Sequence, residues 1–485
     1  MQLWQLRAKV HVSWLIAVGC MSFLLGVIVA PSVMTDGLGA LVWGVTGAML
    51  VMLGLWRQTR YAFLIVMLGG VVLGLWRGSD TEKALEVYQP AVGHIVNLAG
   101  RVSDDVSMGQ RGEQLLRLDR VNIDGQVVVG MTWVSTASAV DIKRGDTVTV
   151  QGRLYAGFGG FAAAMYQAHV QKVERPEPGD VARRVRDWFA DTVRLVVGEP
   201  QASLGLGYLL GQRRTLPPEL DAALLATGLT HIVVASGYNL TILVRFARRL
   251  FMRVSKYLAT LSASVMIIGF IAVTGLSPSM SRAGLIAGLS LAAWYYGRKF
   301  HPLVLLPLAA AVTVMINPSY AWGDLGWQLS FAAFAGVLIV APLLQRYFYG
   351  DKKPGVARQI FGETVSATIV TLPLLAYSFG YISLVAVLAN MLVLPFVPLA
   401  MLLTFVTGVA TLALPGLGLL IATPTEWLLG YMVWVAKYLA DLPWALHEIQ
   451  LEWWHVAIGY LFIIGACIYM QRVTRYNLRD SNIVE

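Results

Sequence analysis

Apolar stretches of about 20 residues recur along most of this chain, and each is long enough to cross about 30 Å of hydrocarbon as a helix. They fall at Ser13–Ala30, Leu38–Trp56 and Tyr61–Trp76, and again near 229–247, 257–276, 282–297, 302–316, 326–345, 360–379, 418–440 and 453–470. Between 383 and 411 the chain is apolar but carries Pro395 and Pro398. That predicts a broken helix facing protein or a cavity rather than lipid. Counting it gives about twelve spans.

One region has another texture. From Pro90 to Arg175 charges are frequent and apolar positions alternate. Val148, Val150, Gly152 and Leu154 point one way and Thr147, Thr149, Gln151 and Arg153 the other, the period of a half-buried strand. Similar runs occur at Val96–Val102, Gln114–Val121, Val127–Trp133 and Tyr166–Val173, separated by turn signals such as Asp124-Gly125 and Arg144-Gly145-Asp146. About five short strands in this space predict a small OB-like barrel, with a sandwich as the other arrangement. Pro176, Pro178 and Gly179 close it. Next comes an amphipathic helix whose stripe is Val181, Val185, Trp188, Phe189, Val193, Val196 and Val197. It lies either on a membrane surface or against the body of the protein. Two short segments, Ala202–Leu210 and Pro218–Thr227, are too polar or too short to span.

Charge sets the orientation. Arg7, Lys9, Arg57 and Arg60 flank the first spans, and Arg245, Arg248, Arg249, Arg253 and Lys256, then Arg298 and Lys299, then Arg346, Lys352, Lys353 and Arg358, fill alternate loops. The positive-inside rule then puts both termini in the cytoplasm and the β region outside the cytoplasmic membrane. The first apolar run lacks a small-residue cleavage pattern after it, so it reads as a retained span. The layout is a polytopic α-helical membrane protein with an inserted extracytoplasmic all-β domain. Its parts are a three-helix region (1–89), the β domain (90–175), the amphipathic helix (176–200) and a larger membrane domain (201–485).

Composition agrees. The chain is 57% hydrophobic and 13% charged, against roughly a quarter charged in soluble proteins. The net charge of +9 is mostly this loop signal rather than a nucleic-acid footprint. Cys20 and Cys467 both lie in apolar runs, which excludes a disulfide framework and a zinc-binding cysteine cluster.

Polar groups inside apolar segments are costly and so are the first candidates for function. His231, Ser236 and Asn239, with Gly237 allowing close approach, recur near helical spacing at one end of a span. They line a pore or hydrogen-bond between helices. The turn Ser277-Pro278-Ser279 delivers Arg282 to a membrane boundary, where it meets a phosphate, snorkels, or pairs with Asp324. Asp324 and Gln328 are four apart, hence on one helical face, with Ser330 following. Asn390 precedes Pro395 in the broken helix, and Glu363 lies near the inner surface. In the β domain Trp133, Tyr155, Phe158 and Phe161 are either stacking platforms for bases or core. Basic and acidic residues nearly cancel there, and Arg183, Arg184 and Arg186 beside it supply positive charge.

No catalytic set emerges. The seven His residues show no metal-binding spacing, no Gly-rich phosphate loop with a following Lys occurs, and a Ser236–His231 pair lacks a placed third member. No cofactor, metal or enzymatic activity is expected.

At these clusters the chain resembles the ComEC family of DNA-internalisation competence proteins. The likeness is carried by Gly211-Gln212-Arg213, Gly228-Leu229-Thr230-His231, Ala235-Ser236-Gly237, Ser279 to Gly284, Asn317-Pro318, Asp324-x-Gly326-Trp327-Gln328-Leu329-Ser330, and Asn390 before Pro395. The resemblance implies a channel that passes single-stranded DNA to the cytoplasm during natural transformation. It also implies an external domain that receives DNA, an extracytoplasmic receptor, a separate cytoplasmic motor ATPase and a separate nuclease. Two departures stand out. Tyr238-Asn239 follows the Ser-Gly pair where members commonly carry His, and the chain ends at Glu485 without the metallo-β-lactamase-like domain of many members. The rival readings are an intramembrane enzyme acting on a lipid or envelope polymer, and a small-molecule transporter.

Overall fold

The structure, a computed structural model, describes residues 11–32, 39–57, 60–109, 112–138, 140–177, 179–212, 216–233, 237–275, 277–297, 301–350 and 354–476. In chain order its helices are α1 Val12–Val29, α2 Gly39–Arg57, α3 Arg60–Glu86, α4 Val181–Arg194, α5 Gln201–Leu210, α6 Pro218–Ala226, α7 Thr230–Val233, α8 Gly237–Phe251, α9 Lys256–Thr274, α10 Pro278–Tyr295, α11 Pro302–Ile316, α12 Tyr320–Gly323, α13 Leu325–Ala335, α14 Ala341–Tyr349, α15 Val356–Phe379, α16 Ala386–Val393, α17 Val397–Ala413, α18 Pro415–Ala440 and α19 Trp453–Thr474. Its strands are β1 Ile95–Val102, β2 Ser107–Met108, β3 Gln114–Ile123, β4 Gln126–Val127, β5 Thr132–Thr136, β6 Thr147–Ala156, β7 Ala163–Met165, β8 His169–Glu174, β9 Tyr381–Ser383 and β10 Leu446–Glu448.

Eight helical segments among the described residues are long and apolar enough to cross a membrane: Val12–Val29, Tyr61–Ser79, Lys256–Thr274, Leu325–Tyr349, Ala357–Phe379, Ala386–Ala413, Gly416–Ala440 and Trp453–Thr474. Leu41–Arg57 and Leu303–Ile316 are shorter apolar helices. The expected span near 229–247 is helical at α7 and α8, with 234–236 outside the described residues, and the one near 282–297 begins earlier, at Pro278. The prolines expected to break the chain near 395 do so as a 3-10 turn, Leu394–Phe396, between α16 and α17. Pro395 has no amide hydrogen to continue the α-helical ladder there.

The chain forms two compact units, residues 1–181 with 303–328, and residues 182–302 with 329–485. In the first, α3 packs along both α1 and α2. Small residues allow it: a Cβ on Gly74 would stand 2.9 Å from Gly26 Cα. Close backbone approach of this kind is how helices associate where lipid removes the hydrophobic drive. Arg77 at the end of that span donates to the carbonyls of Met315 (2.9 Å) and Ile316 (3.1 Å), capping α11.

Beyond α3 stands a β-barrel-like domain. Its strands follow the path β1-β3-β5-β7-β6, and β6 pairs back to β1, closing it. All these pairs are antiparallel except β5–β7. Alternation explains the interior: Leu98, Leu116, Leu118, Val148, Val150 and Leu154 are fully buried. The run expected at 127–133 is two pieces, because β4 ends at Val127 and β5 begins only at Thr132. Gly130, at φ +125°, turns the chain between them. Strand β7 is a fully buried Ala-Ala-Met run with no alternation to reveal it. Asp146, 1% exposed, is held by Arg175 through Nε (3.0 Å) and Nη2 (2.9 Å) and by the Lys143 amide (3.0 Å). Buried Arg144 is matched by Asp180 at 2.8 Å.

In the second unit one core gathers α5, α6, α7, α16, α17 and α18 around Leu204, Tyr208, Leu220, Ile232, Val393 and Leu429. Another joins α8, α9 and α10 through Leu240, Ala263, Phe270, Met280 and Leu291.

Candidate functional site

The α8–α9–α10 group carries Arg282 in the first turns of α10. Ser277 caps α10, its hydroxyl accepting from the Met280 amide at 3.3 Å. One turn on, Arg282 lies over the rings of Phe331 and Phe334, 5.7 and 5.5 Å from guanidinium carbon to ring centroid. Those two rings are three apart on α13, hence on one face. Ser279 and Ser330 join the same two helices, hydroxyl to hydroxyl, at 3.2 Å. Gly237 opens α8 beside the arginine. A Cβ there would stand 3.3 Å from Arg282 Nη2 and 3.2 Å from Ala283 Cβ, so a larger residue would press on both by a few tenths of an ångström.

The electrostatics of this arrangement are incomplete. Arg282 Nε is buried and meets no hydrogen-bond acceptor among the described residues. Two ring contacts contribute about 0.5–2 kcal/mol each. Desolvating an ion costs several kcal/mol. The residue as a whole keeps part of its surface accessible. The geometry therefore suits an anion with oxygen acceptors, which a guanidinium binds as a planar fork.

A second polar group lies behind α8. Asn239 is fully buried and donates to the carbonyls of Tyr208 (3.0 Å) and Ile232 (3.4 Å), tying α8 to α5 and α7. His231 Nδ1 sits 2.9 Å from the Gly228 carbonyl. Asn390, also buried, donates to Ala386 within its own helix at 2.9 Å, while its Oδ1 has no partner among the described residues. Thr230 Oγ1 is likewise buried and unmet. Of the candidates in this segment, Ser236 lies outside the described residues.

The pair Asp324–Gln328 is not a shared helical face. Asp324 is extended (φ −104°, ψ 100°) and precedes α13, accepting from the Trp327 amide at 2.7 Å. A carboxylate there satisfies an amide that no earlier turn can. Gln328 donates to the Ala321 carbonyl at 3.2 Å, and Trp327 Nε1 to Thr313 Oγ1 at 2.9 Å. Asp324 and Gln328 thus hold the α11–α12–α13 turn together. Arg282 and Asp324, an expected ion pair, belong to different compact units and each has its own partners within its unit.

On the barrel, Trp133, Tyr155 and Phe158 do come together, and not in the core. Cross-strand register aligns Arg117, Trp133, Ala164 and Tyr155 in one row. Trp133 meets Phe158 at 5.7 Å and Tyr166 at 5.2 Å, Tyr166 meets Tyr155 at 5.3 Å, and Phe158 meets Phe161 at 5.4 Å. Tyr155, Phe158 and Tyr166 are each more than two-fifths exposed. Arg117 lies over Phe161 at 5.9 Å and pairs with Asp104 at 3.3 Å. Tyr166, expected to open the strand run to Val173, instead stands between β7 and β8 and joins this aromatic row.

The arginines of α4 require a correction. Arg183 and Arg186 are buried, both facing Asp187 (3.4 and 3.1 Å), which also accepts from Gln212 at 3.2 Å. They are not surface cations for DNA. Arg184 is exposed. The expected stripe divides: Val193 and Val197 enter the core with Leu206 and Ala422, while Val181, Val185 and Trp188 face outward. Arg183, Arg186 and Gln212 all bond the half-buried Asp187, which holds the arginine face of the first turns inward. Among the described residues no three His, Cys, Asp or Glu gather in a metal-binding group.

Comparison with known proteins places this region in context. The family model described as Competence protein matches residues 208–475, more than half of the chain. ComE operon protein 3 of Bacillus subtilis (strain 168) is 27% identical over 221 residues, 44% of this chain and 27% of that protein. An uncharacterized protein of Aquifex aeolicus (strain VF5) is 25% identical over 236 residues, 47% of this chain and 52% of that protein. The chain thus matches between about a quarter and a half of the length of these curated relatives. No solved structure matches.

Proposed function

The chain belongs to the Competence protein family, and from that premise we propose that it is a membrane channel passing one strand of DNA into the cytoplasm during natural transformation. The observation that carries this reading is Arg282, a cation set among Phe331, Phe334 and Gly237 with its Nε unmet. Its geometry fits a phosphodiester: the guanidinium takes the charge and flanking rings admit an unstacked base. Along α10, 12 residues separate Arg282 from Trp294, about 18 Å of helix. With Trp294 at one interface, Arg282 lies past the middle of a ~30 Å hydrocarbon core, toward its other boundary. An ionisable residue within a span is a pathway candidate.

The same reading gives about twelve spans with both termini cytoplasmic in the inner membrane, and it treats the barrel as an OB type. The barrel's closed path with one parallel pair supports that assignment. On this account the exposed row from Arg117 to Tyr155 receives bases outside the membrane. A receptor, a motor ATPase and a nuclease are supplied by other proteins. The reading is tested by replacing Arg282 with methionine and measuring import of labelled DNA in a strain that depends on the variant copy. Protected intracellular label falls if Arg282 lies on the path and is unchanged if it does not.

A further inference from the structure

The group α8–α9–α10 carries a second cationic site at its other end. Arg248 on α8 lies over the Trp294 ring at 5.0 Å. Lys256, opening α9, lies over the same ring and over Tyr295, both at 5.5 Å. Three helices therefore converge on one indole with two cations. Between Arg245 and Lys256 the sequence has five basic residues and no carboxylate. Arg248 Nε is buried with no hydrogen-bond acceptor among the described residues. Exposed apolar side chains interleave with these charges: Phe246, Leu250, Val254 and Tyr257 are 51%, 60%, 72% and 63% exposed.

We propose that this end of the group binds an anionic phospholipid, with the headgroup phosphate against Arg248 and Lys256 and the Trp294–Tyr295 pair at the level of the glycerol. The charge excess calls for an anion, and cationic residues beside a span attract acidic headgroups. The interleaved apolar residues select lipid over nucleic acid, because a bound strand would leave Leu250 and Val254 in water, while acyl chains cover them. Aromatic rings at such a boundary are the usual interfacial anchors. The consequence reaches the other site. Holding α8 and α10 at the headgroups fixes how deep Arg282 sits. The proposal rests on the membrane location of this helix group and not on passage of DNA, so either reading stands if the other fails.

The test uses the full chain purified in detergent, titrated with dioleoylphosphatidylglycerol, dioleoylphosphatidylcholine, inorganic phosphate and a single-stranded oligonucleotide. Retained ligand is counted by native mass spectrometry and melting is followed in parallel. The expected result is retention of phosphatidylglycerol over phosphatidylcholine and a raised melting temperature. The double variant Arg248→Gln, Lys256→Gln weakens that retention about thirtyfold, for two cations removed. Equal retention of both lipids overturns the proposal. So does full stabilisation by inorganic phosphate alone, which marks a plain anion site. Displacement of phosphatidylglycerol by the oligonucleotide from wild type but not from the double variant overturns it in favour of nucleic acid. The wild-type comparison of the two lipids decides the matter even where the double variant does not fold.

Discussion

Replacing Arg282 with methionine separates a functional cation from a structural one. Methionine keeps much of the length and the contact with Phe331 and Phe334 while removing the charge. The lost ring contacts are worth about 0.5–2 kcal/mol each. Against that, the buried Nε donor without an acceptor disappears, and such an unmet group costs about 1–3 kcal/mol. The two nearly cancel, so melting in detergent shifts by no more than a few degrees. The lost phosphate contact is not compensated. A hydrogen bond to a charged group is worth about 1.5–3 kcal/mol, which is about 10- to 150-fold in rate. Import of labelled DNA, scored as label protected from added nuclease, falls by that factor while surface-bound label is unchanged. Arg282→Lys keeps the charge without the planar fork and falls between the two. Normal import by a folded Arg282→Met protein refutes the reasoning. So does loss of folding by more than about 4 kcal/mol, which is the signature of a buried structural charge.

Gly237→Ala places a Cβ 3.3 Å from Arg282 Nη2, and it lowers import about tenfold with little change in melting. Asp146→Ala leaves Arg175 and the Lys143 amide without their acceptor and destabilises the barrel by about 1–3 kcal/mol, visible as early proteolysis between 90 and 175 in the otherwise intact chain. Phe158→Ala and Tyr166→Ala each weaken binding of a single-stranded oligonucleotide by about 1–3 kcal/mol in fluorescence anisotropy. Asn239→Ala removes the tie to Tyr208 and Ile232 and lowers the melting temperature with import falling only in proportion to folded protein, because its amide is already committed to backbone carbonyls.

What was legible in the sequence followed periodicity and cost. Val148, Val150 and Leu154 alternate, and they are buried in the barrel as alternation requires. Apolar runs of span length are helices for the same kind of reason. Arg282 was legible because an ion in an apolar segment is expensive. What was hidden depends on contacts between distant segments. Strand β7 has no alternation, and only its place between β5 and β6 makes it a strand. Asp324 and Gln328 share a helical spacing, yet Asp324 stands before the helix because the amides of the first turn need an acceptor. Arg183 and Arg186 look like surface charge, and Asp187 with Gln212 turns them inward. Phe331 and Phe334 read as ordinary span residues until Arg282 is seen between them.

The central claim is that this chain is the conduit itself. Its most direct test is a strain lacking the gene, given DNA labelled along one strand, with surface-bound and nuclease-protected label counted separately. The account predicts that surface label persists and protected label vanishes, and that protected label returns with the wild-type gene but about 10- to 150-fold less with Arg282→Met. Normal protected label in the strain lacking the gene contradicts it.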